Sequence, residues 1–175
     1  MFISKPSSDE HNSYHSEYTN RVQGDWHAFV TQTHAELQMV VAPLSEAQAE
    51  MRPSPNEWNI KEVIGHICDT ERIFAYRALR IGRNDTTPLA GFDQDPYVPA
   101  GEFSSRPLAD LLQEFETIRA ATFTLFRAFP AAALLRVGTA SDSRVSVRAL
   151  AYMIAGHEHH HLESIKGVYL GKQKN

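Results

Sequence analysis

The chain has one cysteine, no apolar run long enough to cross a bilayer, no excess of positive charge, and almost no alternation of apolar and polar residues at period two. Each shortage excludes something. A lone thiol, Cys68, cannot close an intramolecular disulfide, which points to a reducing, cytoplasmic compartment. Without about 18 consecutive apolar residues no membrane-spanning helix is expected, and the opening Met1-Phe2-Ile3-Ser4-Lys5 carries no signal-peptide core. Lys+Arg number 17 against 21 Asp+Glu, a formal net charge of −4. That balance argues against the broad phosphate neutralisation on which nucleic-acid binding depends. What the chain has in excess is histidine: nine residues, four of them between positions 157 and 161. Its 175 residues suit a single domain, and a chain of that size buries roughly 70% of its unfolded surface without covalent staples.

Residues 1–13 are polar and serine-rich and read as a mobile tail ahead of one domain over 14–175. Four helical patterns follow. The first spans about Ser16 to Val41, weakened at Gly24 and ended by Pro43. Ser45-Glu46-Ala47-Gln48 has the form of a capping box for a short piece. The second long helix opens with Asn59 as N-cap and Glu62 three residues on, and stops at Gly82. The third starts after Ser105 and ends before Pro130, and the fourth runs from about Val147 to Leu170. Between the second and third lie about 22 residues, 83–104, long for a bundle connection and read as a solvated crossover. Such a connection lets those two helices run parallel. The expected fold is therefore all-α, a four-helix bundle of up-down-down-up sense. Asp93-Gln94-Asp95 in the crossover lacks calcium-loop spacing and is assigned no metal.

The fourth helix carries its apolar stripe, Val147, Leu150 and Ile154, straight into His157 and His161. Positions four apart lie only ~40° apart around a helix and one turn along it. Both imidazoles therefore face the interior, close enough to share an ion, and two buried rings must be satisfied by something. His159 falls on the opposite side and reads as solvent-facing. His160 flanks the stripe. His66, on the edge of the second helix's stripe, is the natural third ligand. Glu62 and Asp69, at i−4 and i+3, read either as acceptors for its free ring N–H or as a helix cap and a solvated charge. His27 and His34 stand two turns apart, too far for one ion, and His11 and His15 fall in the tail. Cys68 is ~200° around the helix from His66 and is not counted as a ligand. His157-Glu158-His159-His160-His161 also satisfies H-E-x-x-H, the zinc-protease pattern. The extended metzincin form fails, with Ser164 where glycine is needed and Gly167 where histidine is needed.

The run Glu57-Trp58-Asn59-Ile60-Lys61-Glu62-Val63-Ile64-Gly65-His66-Ile67-Cys68-Asp69-Thr70-Glu71 resembles the second-helix motif of the DinB-like superfamily. Glu71 to Ile81, Gly91 to Val98, and Ser146-Val147-Arg148-Ala149-Leu150 through His161 are similar to one subgroup of it. The resemblance covers about residues 16–170. It implies a metal triad at His66, His157 and His161, a divalent ion of the nickel, zinc or iron class, and a homodimer. It also implies relatives that use a low-molecular-weight thiol in transfer or isomerisation.

Three neutral imidazoles suit zinc, nickel, iron or cobalt rather than magnesium or calcium. With three protein ligands, positions stay open for exogenous ones, as in catalytic sites. Coordination deprotonates a thiol and lowers the pKa of water towards about 7. Glu158 reads chiefly as an exposed helix carboxylate, its alternative being a base that reaches the bound water or thiol. Arg77 and Arg80 read chiefly as surface charges, their alternative being partners for the carboxylates of an acidic thiol. The function expected is a metal-dependent enzyme moving a low-molecular-weight thiol to a small electrophile. The alternatives are a metal-dependent hydrolase and a non-catalytic metal-binding or stress-associated module.

Overall fold

Side-chain chemistry sets where the helices begin. In the computed structural model, which describes residues 2–171, the α-helices in chain order are α1 (Ser16–Arg21), α2 (Trp26–Val41), α3 (Glu46–Ala49), α4 (Ile60–Gly82), α5 (Gln94–Ala100), α6 (Leu108–Arg127), α7 (Ala131–Leu134) and α8 (Val147–Ser164). A π-helical turn, Ile165–Leu170, extends α8. Asp25 caps α2 by accepting from the Ala28 N–H (2.9 Å), and Ser146 caps α8 by accepting from the Ala149 N–H (3.0 Å). At α4 the capping box forms reciprocally: Asn59 Oδ1 accepts from the Glu62 N–H, and Glu62 Oε2 from the Asn59 N–H, each at 2.9 Å. The single helix expected over Ser16–Val41 is instead two, because Gly24 takes φ +70° between α1 and α2.

The four long helices, α2, α4, α6 and α8, bury two separate apolar clusters. One gathers Trp26 and Val30, Phe74 and Ile81, Phe126, Leu150 and Ile154. The other gathers Leu37 and Val41, Ile60 and Ile64, Leu111 and Phe115, Leu162 and Ile165. Along the chain α2 and α8 pass from the first cluster to the second, while α4 and α6 pass from the second to the first. Between the clusters each long helix carries buried polar residues: His34 on α2, His66, Thr70 and Glu71 on α4, Arg119 on α6, His157 and Glu158 on α8. His66 and His157 lie in this layer.

To the helical bundle the structure adds an antiparallel hairpin, β1 (Val137–Ala140) and β2 (Ser143–Ser146). Its two-residue loop, Ser141 (φ 50°) and Asp142 (φ 55°), has both φ positive, as a type I′ turn requires. The crossover docks on the hairpin: the Leu89 N–H donates to Thr139 O (2.9 Å) and the Ser141 N–H to Leu89 O (3.0 Å). The crossover is also not the solvated loop expected from its composition. It contains α5 and a 3-10 turn, Phe103–Ser105, and buries Leu89, Val98 and Phe103. The segment before α1, polar enough to read as a tail, packs on α8. Ile3 is 1% exposed, its carbonyl accepts from the Tyr152 hydroxyl (3.1 Å), and Glu10 pairs with Arg148.

Candidate metal centre

His157 and His161 share one face of α8, and α4 packs against that face so that His66 meets them. His157 Nε2 lies 2.9 Å from His66 Nε2 and 3.1 Å from His161 Nε2. One nitrogen of each ring lies within 4.8 Å of the other two. His66 and His157 are buried, and His161 is partly so. Burial, reinforced by the charge of His160, lowers the pKa of His66 to about 4. Burial first, and then the neighbouring histidines, hold His157 and His161 well below the ordinary imidazole value. All three rings are therefore neutral at physiological pH, the state in which imidazole binds metal.

The residues fit an ion on two counts. A neutral imidazole carries a single N–H, so His157 Nε2 cannot be satisfied as both donor and acceptor by the two nitrogens facing it. Two nitrogens must share its one proton or its one lone pair, or like groups must face each other. Secondly, an ion ~2.0–2.1 Å from each nitrogen, with angles between octahedral and tetrahedral, would hold them about 2.9–3.4 Å apart. The two separations from His157, 2.9 and 3.1 Å, fall in that range, and His66 and His161 lie within 4.8 Å of each other.

Surrounding elements build two cavities on either side of the triad. One, of about 370 Å³, has His157 in its wall with His15 and Tyr18 of the α1 region, Thr70, Phe74 and Arg77 of α4, and Phe92 of the crossover. The other, of about 490 Å³, reaches His161 between Trp58, Val63 and Tyr169. Asp95, at the start of α5, lines both. Gly156 permits the first cavity's wall: a Cβ there would lie 1.9 Å from Tyr18 O, so only glycine lets α1 approach α8 this closely. The Tyr18 ring then meets His157 edge-on at 5.3 Å. On the other side Trp58 packs on His66, ring centroids 4.9 Å apart, and Trp58 O accepts from the Tyr169 hydroxyl (2.8 Å).

Glu158 does not serve as a base at this site. Its side chain is fully enclosed and pairs with Arg119, Oε2 to Nη2 2.7 Å, on the side of α8 facing α6. Neither the exposed carboxylate nor the site carboxylate expected from sequence is what forms. Glu62 is occupied as a cap and with Arg52, and Asp69 lies 3.7 Å from Arg72; neither hydrogen-bonds His66 among the described residues. His159 is half-buried rather than solvent-facing, its ring 5.2 Å from that of Phe29. His160 stands 3.4 Å from Glu17. His34 is buried against Glu116 (2.7 Å), and His27 is exposed. Cys68 is buried among apolar residues, and that burial pushes its thiol pKa up. Arg80 pairs with Asp85 at the surface, but Arg77 is buried in the first cavity's wall.

Sequence reasoning did not assign Thr70, Asp95, Tyr18 or His15 to the site. Thr70 carried a signal, one helical turn beyond His66 on the same face. The others come from α1 and the crossover, whose docking no helical periodicity encodes.

A helical bundle with three neutral histidines converging between two cavities is the architecture of a metal-site protein class. The chain belongs to the DinB superfamily, whose family model matches residues 20–165. Among solved structures it is similar to YfiT from Bacillus subtilis, described as a probable metal-dependent hydrolase with an unusual four-helix bundle topology. The TM-score is 0.76 at 13% identity, covering 89% of this chain and 87% of that one. It is also similar to a mycothiol-dependent maleylpyruvate isomerase, TM-score 0.67 at 10% identity, covering 87% of this chain and 62% of the isomerase. The chain thus spans less than two thirds of that enzyme's length. At such identities the likeness is one of fold. No curated protein matches.

Proposed function

We propose that the protein is a metal-dependent enzyme in which His66, His157 and His161 hold a divalent transition ion, and that it transfers a low-molecular-weight thiol to a small electrophile. The observation that carries this reading is the convergence of three neutral imidazole nitrogens at the junction of two cavities. When bound, an ion of the zinc, nickel or iron class supplies a Lewis-acid centre that lowers the pKa of an exogenous thiol or water.

The chain's own residues do the rest. The wall containing His157 and the wall containing His161 give two reactants separate approaches to one point, which is the positioning a two-substrate transfer needs. Asp95 is the carboxylate that lines both cavities, and it takes the place sequence geometry gave to Glu158 as acceptor of the nucleophile's proton. The aromatic walls, Tyr18 and Phe74 on one side and Trp58 and Tyr169 on the other, limit water around the triad. The buried Cys68 thiol fits a reducing, cytoplasmic setting.

The test begins with metal analysis of protein purified without a histidine tag, and continues with turnover of 1-chloro-2,4-dinitrobenzene with and without added cysteine. Bound metal, and turnover that needs both metal and thiol, is the expected result. Turnover of ester substrates without thiol would favour hydrolysis, the class named for the similar Bacillus protein. A bound ion whose shell is closed by protein groups would favour a binding module.

A further inference from the structure

Arg77 is a buried cation for which the proposed reaction has no use. It lies eleven residues beyond His66 on α4, ~20° around the axis and about 16 Å along it, so both sit on one helix face. Thr70 and Phe74 lie between them, and all three of Thr70, Phe74 and Arg77 line the cavity that His157 bounds. Arg77 is 4% exposed. Its Nη2 donates to Ala90 O and to Ser141 Oγ in the hairpin turn, each at 2.9 Å. Its Nε and Nη1 protons have no protein acceptor, and no carboxylate pairs with it, among the described residues. The Phe74 and Phe92 rings flank the guanidinium at 5.8 and 5.9 Å. Thr70 is 3% exposed, and its hydroxyl has no hydrogen-bond partner among the described residues. A desolvated guanidinium without a counter-ion and a buried hydroxyl without a partner are both costly states that a ligand of the right chemistry relieves.

We propose that this cavity binds a small molecule with a single carboxylate, which pairs with Arg77 while the other end of the molecule reaches the histidine triad. The Thr70 hydroxyl, one turn from His66, hydrogen-bonds the ligand near that far end. What the far end meets rests on reading the triad as a metal centre; the contact with Arg77 does not. One guanidinium matches one carboxylate, and the exposed Asp93 and Asp95 at the same cavity's rim repel a second negative charge. The aromatic walls suit an apolar body between the two ends, and a volume of about 370 Å³ suits a molecule of metabolite size.

The experiment is calorimetric titration of 6-mercaptohexanoate and of its neutral amide, 6-mercaptohexanamide, into zinc-loaded and metal-free protein. Wild type should prefer the acid at least tenfold in both states, and Arg77→Gln should abolish that preference while taking up zinc normally. Thr70→Val, which removes only an unpartnered hydroxyl, should melt no lower than wild type yet bind acid and amide several-fold more weakly. Equal affinity of wild type for acid and amide overturns the proposal without recourse to any variant, as does a preference that survives in Arg77→Gln. Failure of wild type to take up zinc would instead overturn the metal reading. The acid preference of the metal-free protein would still decide the Arg77 site.

Discussion

Arg119 of α6 and Glu158 of α8 face each other at 2.7 Å, Nη2 to Oε2, with both side chains all but completely enclosed. The same Nη2 donates to Glu71 of α4 at 2.6 Å, and Nε donates to the other Glu71 oxygen at 3.1 Å. His34 of α2 lies 3.5 Å from Glu158 and 2.7 Å from Glu116. One buried network thus links all four long helices in the layer between the two apolar clusters. Burial alone would weaken Arg119 as a base, but the Glu158 and Glu71 carboxylates outweigh it and hold its pKa above the ordinary value. Because Glu158 follows His157 in α8, the pair with Arg119 also fixes the rotation of α8 that turns His157 towards α4.

Arg119→Met keeps an unbranched stem, removes the guanidinium, and leaves Glu71 and Glu158 without their cation. Breaking a buried pair from one side costs about 3–5 kcal/mol, because the partner charge stays uncompensated. Urea denaturation should show a loss of that size. A loss under about 1 kcal/mol would mean that the carboxylates find other partners.

The triad should separate cleanly from the histidines around it. His66→Ala, His157→Ala and His161→Ala each remove a ligand, and each should weaken zinc binding at least ~10-fold, about 1.4 kcal/mol. His159→Ala should bind as wild type, because that ring packs by Phe29. Zinc titrations of the four variants, each checked for retained helicity, decide this. Loss of binding in His159→Ala with retention in His66→Ala would place the ligands on one helix and remove the interhelical site.

Acid should destabilise the metal-free protein early. The unfolded chain protonates histidine near ~6.5, whereas burial holds His66 down to about 4 and the other two triad rings well below the ordinary value. Between those limits the unfolded state binds more protons, so stability falls as pH falls. His34 acts with the opposite sign. Burial opposes its charge, but Glu158 and Glu116 outweigh burial and raise its pKa. Its contribution is full below the unfolded value and is lost as pH rises through the folded one. Burial likewise lowers His15 to about 4 and holds His160 below its ordinary value, so five rings against one predict a melting temperature that declines as pH drops from about 6.5 towards 4, with saturating zinc delaying the decline because protons must displace the ion. A flat profile for the metal-free protein across that range would contradict the burial of the triad.

Much of this was legible in the sequence, for reasons of period. Helical spacing put His157 and His161 on one stripe and His66 on another, and the capping signal at Asn59 fixes where α4 begins. The capping box at Ser45 forms as its sequence suggests. The hairpin was hidden because its strands are four residues long and its turn is Ser-Asp rather than Asn-Gly, so neither alternation nor turn chemistry announced it. Glu158 was misread because periodicity describes one helix at a time: its place on α8 suggested solvent or the site, and only Arg119, 39 residues earlier in the chain, explains its burial. Arg77 was misread for the same reason, since its acceptors come from the crossover and the hairpin.

Gly156 tests whether the approach of α1 to α8 shapes the site. In a helix interior, glycine to alanine ordinarily gains about 1 kcal/mol from backbone entropy alone. At Gly156 the new Cβ would lie 1.9 Å from Tyr18 O, a backbone atom that cannot step aside without moving α1. Overpacking of this kind costs about 1–3 kcal/mol, enough to reverse the sign. Since the Tyr18 ring packs on His157 at 5.3 Å, a displaced α1 should also loosen the triad and weaken zinc binding. Gly167, in the π-helical turn with nothing among the described residues within 4 Å of its would-be Cβ, is the matched control. Gly167→Ala should leave the melting temperature unchanged or higher, and Gly156→Ala should lower both the melting temperature and the zinc affinity. If Gly156→Ala melts as high as Gly167→Ala and binds zinc as wild type does, the contact between α1 and α8 is not what holds Tyr18 against His157.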